Sequence, residues 1–202
     1  MTLLFAMTGC WVTGADRELV IGARRPVDSG PPDASCEAPS ERIVDGGFEA
    51  GSAGASWSAS SDQVDSPICS AVSCGSIGSS GPRGGTWWVW FGGLNEPESA
   101  KAVQRGVVLD PGPAELSFWL QVPERSSGAG DTLTVTVDGL PVWELVTTDA
   151  GPYVDDYALV TVDVTEHADG GAHEIGFFGA TLAETTARTS FFIDDVSLVA
   201  CP

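Results

Sequence analysis

Two stretches of strict alternation constrain this chain more than anything else in it. In Ala114 to Pro123, the residues Leu116, Phe118, Leu120 and Val122 share one parity, while Ser117, Trp119 and Gln121 share the other. In Asp131 to Val137, the residues Leu133, Val135 and Val137 fall on one side and Thr132, Thr134 and Thr136 on the other. A period of two is that of a pleated strand with one face buried. Asp138-Gly139 follows at once, a pair suited to the two-residue hairpin turn because both positions need positive φ. It leads into a further strand, Val142 to Val146. The same reading predicts strands at Ile43 to Glu49, Trp57 to Ser61, Thr86 to Phe91 and Ala102 to Leu109. It adds Leu159 to Val164, His173 to Phe178 and Phe191 to Leu198. Residues 62–85 form a long Ser/Gly-rich loop. No segment keeps a helical period and no repeat is present. Short strands between Gly-rich turns predict an all-β antiparallel β-sandwich with long loops.

The cysteines divide into two groups. Cys69 and Cys74 enclose Ser70-Ala71-Val72-Ser73, a small ring that a disulfide would close. Cys36 precedes the first strand and Cys201 follows the last. They can bond only if the two chain ends lie side by side, because bonded Cα atoms lie within about 7 Å. The fifth, Cys10, ends the run Met1-Thr2-Leu3-Leu4-Phe5-Ala6-Met7-Thr8-Gly9. This looks like the tail of a bacterial lipoprotein signal (1–9), in which Cys10 becomes the lipid-bearing N-terminus. The run lacks a basic n-region, so a plain secretion-signal fragment or a disordered end is the alternative. Residues 10–39 carry charge, Pro and Gly without apolar periodicity, as in Arg24-Arg25-Pro26-Val27-Asp28, and read as a disordered tether. The folded domain is then 40–202. The expected location is the bacterial cell envelope, with the membrane reached only through the lipid.

Charge removes whole classes of function. The net charge is −19, with nine basic residues among 202 and Lys101 the single lysine. Such a surface repels phosphate backbones, which excludes nucleic acid as a partner. Catalytic signatures are missing too. There is no Gly-x-Ser-x-Gly elbow, no His-Glu-x-x-His pair and no phosphate loop. His167 and His173 have no third nitrogen or thiolate ligand nearby in sequence, and His173 reads as a structural residue at the start of a strand. The chain is read as a non-enzyme.

Gly46-Gly47-Phe48-Glu49 near the start and Phe192-Ile193-Asp194-Asp195-Val196-Ser197-Leu198 near the end resemble the bookends of galactose-binding-like jelly rolls. That superfamily includes carbohydrate-binding modules of the family 4/9 type and MAM-like adhesion domains. Trp87-Trp88-Val89-Trp90-Phe91-Gly92-Gly93 and Asp169-Gly170-Gly171-Ala172-His173 add to the likeness. The resemblance implies a jelly roll whose first and last strands are neighbours. It also implies a non-catalytic binding module for carbohydrate or, as the alternative, an adhesion module with a protein partner.

Two candidate sites emerge. If the bookend strands are adjacent, Glu49, Asp194 and Asp195 converge, and a carbonyl from Gly47 would complete an oxygen shell for a structural Ca2+. The alternative is that Glu49 or Asp194 caps backbone amides and no ion binds. For a sugar, aromatic rings must stand on an exposed sheet face beside polar groups. Trp119 stands on the polar side of its strand with Gln121. Thr134 would extend that face if the two alternating strands pair, and Trp143 would lie near it. The alternative for Trp119 is a ring covered by a loop. Trp87, Trp88 and Trp90 read as packing residues.

Overall fold

A computed structural model describes residues 39–127, 130–182 and 188–201. The expected signal segment, Cys10, Cys36 and nearly all of the tether lie outside the described residues. Among the described residues, eleven strands form two antiparallel sheets packed face to face. The first sheet contains β1 (Ser40–Glu41), β3 (Ile68–Ser70), β4 (Trp87–Gly92), β6 (Ala114–Glu124), β9 (Ala158–Asp163) and β11 (Ser190–Ala200). Its order is β3-β4-β11-β6-β9, with β1 also paired to β11. The second sheet contains β2 (Ser58–Ser61), β5 (Glu98–Val108), β7 (Thr132–Val137), β8 (Leu140–Val146) and β10 (Ala172–Thr181). Its order is β2-β5-β10-β7-β8.

The inward parity of each strand fills the space between the sheets. Leu116, Phe118, Leu120 and Val122 of β6 meet Leu133, Val135 and Val137 of β7, with Ile175 and Phe177 of β10 beside them, all fully buried. Phe118 and Phe177 meet edge to face across the two layers with ring centroids 5.1 Å apart, the geometry aromatic quadrupoles favour. The β7–β8 turn is as the sequence demands, with φ of 51° at Asp138 and 77° at Gly139.

Three expectations about the strands need correction. Residues 43–49 are not a strand. After the two-residue β1 the chain folds into turns, with positive φ at Asp45 and Phe48 and Phe48 N–H donating to the Asp45 carbonyl. The reason is close approach. A Cβ on Gly46 would lie 1.9 Å from the Val196 carbonyl oxygen, so the chain stays against β11 here, with the Val196 amide donating to the Gly46 carbonyl, without a regular strand ladder. The long loop 62–85 contains the short β3 and one helical turn, Ala71–Cys74. Above all, β6 and β7 do not pair. β6 lies between β11 and β9, while β7 lies between β10 and β8. The chain changes sheet between the two alternating runs.

The chain ends do meet: Ser40 pairs with Ala200 and Glu41 with Val199. Cys201 is disulfide-bonded, and its expected partner Cys36 lies outside the described residues. Cys69 and Cys74 form the predicted short bridge, with Cα atoms 6.0 Å apart.

Candidate functional site

The outer face of the first sheet is covered. Trp88, Phe192 and Cys69 form a second, smaller core there, flanked by Trp90, Tyr157, Ile77 and Cys74. Trp88 and Phe192 are fully buried although they point away from the main core. Trp88 and Trp90 stack nearly parallel at 6.3 Å, and Phe192 meets Trp90 edge-on at 4.9 Å. The cover is the loop that carries the Cys69–Cys74 ring. Tyr157 Oη–H donates to the Gly81 carbonyl at 2.7 Å, and burial drives that phenol's pKa upward. The Trp cluster is therefore packing, as its sequence suggested, although most of it packs outside the sandwich.

Trp119 sits on this same outer face, opposite Asp194 in register. Its ring is not an open platform. The Arg83 guanidinium carbon lies 3.7 Å from the ring centroid, and Arg83 Nη1 donates to Asp195 Oδ2. A cation–π contact plus an ion pair thus holds the loop over the indole. Gln121 is buried. Of the two alternatives for Trp119, the loop-covered ring is the one realised.

Side chains of Glu49, Asp194 and Asp195 gather around Gly47, but the Glu49 carboxylate turns toward the 85–87 backbone. A Cβ placed on Gly47 would lie 3.4 Å from Asp195 Oδ1, 3.8 Å from Glu49 Cγ and 3.9 Å from Asp194 Oδ1. A bulge in the β11–β6 register between Asp194 and Ser197, with φ of 46° at Asp195, lets two successive carboxylates serve one place. These oxygens already have donors. Glu49 Oε1 accepts from the Thr86 and Trp87 amides at 2.9 and 3.0 Å. Asp194 Oδ2 accepts from the Arg83 and Gly84 amides at 2.8 and 3.1 Å, and its Oδ1 from the Asp195 amide at 2.8 Å. Burial is the main reason the Asp194 carboxyl is pushed up to about 6, against the pull of these amides. Both carboxylates therefore tie the 83–87 segment to the turns at 45–49 and to β11. Among the described residues no group of three or more His, Cys, Asp or Glu side chains is arranged to hold a metal by itself. A calcium ion would have to share these oxygens with the amides, use backbone carbonyls, and take Asp195 from Arg83.

His173 is also accounted for. Its Nδ1 lies 2.7 Å from Asp138 Oδ2 and its Nε2 3.2 Å from Asp169 Oδ1. The Glu174 amide and then His173 hold the Asp138 carboxyl below its ordinary value. The Gly171 amide does most of the same for Asp169. The imidazole ties the β7–β8 turn to the start of β10, a structural role.

The outer face of the second sheet is different. Cross-strand register places Ser60, Lys101, Phe178, Thr134 and Glu144 in one row across all five strands. The row beside it runs Ser58, Val103, Gly176 and Thr136. Phe177 points into the core, so Phe178 points out and is only partly buried. A Cβ on Gly176 would lie 2.6 Å from Phe178 Cε2 and 3.2 Å from its Cζ. The ring therefore reaches back along its own strand, with its Cε2–Cζ edge beside the glycine, and stays partly exposed. Thr136 Oγ1, next to it, is buried without a hydrogen-bond partner. Lys101, Ser60 and Glu144 are exposed around the ring, and Arg105 pairs with Glu174 at 2.7 Å further along the face.

The residues expected to share one ligand face are thus divided. Trp119 and Gln121 lie outside the first sheet, and Thr134 lies outside the second. Trp143 pairs with Val135 and points inward, its ring 5.4 Å from Phe118. Phe178 is the aromatic that sequence reasoning missed. Its signal was the shared parity of Gly176 and Phe178, obscured by Ile175 and Phe177 on the other parity of the same short run.

No known family profile matches this chain, and no characterised protein matches it by sequence. Solved structures do. A family 61 carbohydrate-binding module, in complex with β-1,4-galactotriose, is 21% identical with a TM-score of 0.54, covering 79% of this chain and 97% of that one. The fold is one that carbohydrate-binding modules use. The K1 cleaved adhesin domain of Lys-gingipain from Porphyromonas gingivalis is 15% identical with a TM-score of 0.50, covering 82% of this chain and 99% of that one.

Proposed function

We propose that the chain is a non-catalytic carbohydrate-binding module and that its ligand lies across the outer face of the second sheet. One observation carries this reading: the partly exposed Phe178 ring packs beside Gly176 in the middle of that face. It is flanked in register by Thr134 on one side and Lys101 on the other. A sugar ring offers an apolar face to stack and equatorial hydroxyls to hydrogen-bond, and a flat aromatic ringed by hydroxyl, amine and carboxylate groups answers both. Five strands at about 4.8 Å spacing give the row a width of roughly 20 Å, room for a short oligosaccharide.

The test is a glycan array probed with wild type and with Phe178→Ala. Binding by the wild type that is lost in the variant supports the reading. Equal binding by both proteins contradicts the site, and an array with no bound glycan contradicts the function.

Two further parts of the proposal concern the setting. A calcium ion at the Gly47, Glu49, Asp194 and Asp195 cluster would be structural and would stand far from the ligand face. Lipidation at Cys10, with residues 10–39 as a tether, would display the module on the envelope. Cys10→Ser in the full-length precursor should then move the protein from the detergent phase to the aqueous phase.

A further inference from the structure

The charges on the second sheet's outer face narrow the class of glycan, on the condition that this face is the ligand site. The chain has 28 acidic residues against nine basic ones, so a folded cation readily finds a carboxylate. Arg42 pairs with Asp110, Arg83 with Asp195 and Arg105 with Glu174. Lys101, like Arg125 and Arg188, forms no ion pair among the described residues, and it is the only lysine in the chain and the only one of the three on this face's central rows. It stands exposed in the first half of β5, the direct cross-strand neighbour of Phe178 on one side and Ser60 on the other. Asp62, just past the end of β2, is held by the Ser99 amide, and the nearest carboxylate in the row of Lys101 is Glu144, three strands away on β8, with Phe178 and Thr134 between. At about 4.8 Å per strand that is roughly 14 Å, beyond a Debye length in physiological salt.

The row is thus polarised across the aromatic platform: a free ammonium at one flank, a free carboxylate at the far flank, and a hydroxyl between. We infer that the site takes a glycan bearing a carboxylate, a uronic acid, whose ring stacks on Phe178 with its carboxylate turned toward Lys101. Lysine is suited to this role as a compact charge on a flexible stem that reaches a group of variable position. Glu144 reinforces the orientation. It accepts hydroxyl protons on the β8 side and repels a carboxylate placed there. The strongly negative remainder of the molecule opposes long polyanions, so an isolated uronate or a short uronate run suits the face better than a densely charged polymer.

The experiment uses the full chain and a matched set of probes. Oligogalacturonate, glucuronoxylan oligosaccharides and oligomannuronate would each be titrated beside their methyl-esterified or carboxyl-reduced counterparts, with neutral β-1,4-galactotriose as a reference. At least one uronate should bind about tenfold or more tighter than its neutral counterpart, since a charge-assisted contact is lost with the carboxylate. Lys101→Gln should erase that preference by weakening the acid form far more than its neutral counterpart, and Lys101→Arg should retain it. Phe178→Ala should weaken both forms. Equal binding of acid and neutral forms, a preference that survives Lys101→Gln, or binding confined to neutral glycans would overturn the uronate inference and leave the site standing. Unchanged affinity in Phe178→Ala, or binding of no probe at all, would overturn the site itself.

Discussion

The two outer faces of this sandwich use similar residue types to opposite ends. On the first sheet, Trp88, Trp90, Phe192 and Trp119 carry far more aromatic surface than the other face offers, yet a loop covers them. That loop is stapled at Cys69–Cys74 and pinned by Glu49, Asp194 and the Arg83–Asp195 pair. On the second sheet, one phenylalanine lies open among polar groups. Aromatic density by itself therefore does not mark a binding face. The difference is made by what crosses above the rings of the first sheet: a loop with its own carboxylate anchors.

The strongest way to break this comparison is to remove the buried ring of the covered face. Trp88→Ala should cost about 3–5 kcal/mol, the usual loss on deleting a fully buried large aromatic. Denaturant unfolding measures it, and a loss under about 1 kcal/mol would mean that the loop is not a packed cover. The staple should matter next. Cys69→Ser with Cys74→Ser frees a loop of a few residues, worth about 2 kcal/mol in the chain-entropy picture. Glycan binding on the opposite sheet should stay intact in that double variant. Trp119→Ala should cost less, about 1–2 kcal/mol, since the ring is only partly buried and its cation–π contact is worth about 0.5–1 kcal/mol. It too should leave glycan affinity unchanged.

How legible this was depends on the feature. The inward sets of β6 and β7 and the Asp138-Gly139 turn followed from alternation and turn chemistry, and the nearness of the Gly46–Glu49 segment to β11 was implied by the resemblance of the two bookend motifs. Which strands pair did not. Alternation says that one face of a strand is buried, and β6 and β7 carry the same pattern whether they sit in one sheet or in two. That single ambiguity separated Trp119 from Thr134. Trp143 turned inward because a register irregularity between Val135 and Thr136 in the β7–β8 pair resets which residues face the core, and a bulge of this kind leaves no mark in short sequence windows. Phe178 was hidden by its neighbours. A run with apolar residues on both parities reads as a fully buried strand, although Gly176 beside the ring is what leaves it open.

Smaller effects sharpen the account at its edges. Asp138 and Asp169 have folded pKa values below the ordinary carboxylate value. Folding therefore favours their charged forms. Their contribution is present above about pH 4 and is lost as pH falls through the depressed folded values. Asp138→Asn keeps a side chain that tolerates positive φ and should lower the melting temperature by a few degrees at neutral pH, with a smaller deficit in strong acid. A deficit that did not shrink on acidification would argue that the charge on Asp138 is idle. Calcium should raise the melting temperature by mass action if the acidic cluster binds it, and magnesium, which demands a stricter octahedral shell, should do so less. A melting curve indifferent to calcium and to chelator would leave the amides and Arg83 as the sole partners of that cluster.

The central claim is the choice of face, and backbone and indole NMR shifts on adding the tightest-binding glycan from the array test it most directly. The account predicts that the amides of Lys101, Thr134, Gly176 and Phe178 move in proportion to ligand bound while the Trp119 indole stays fixed. Movement of the Trp119 indole and the Arg83 region, with the second sheet silent, would contradict it.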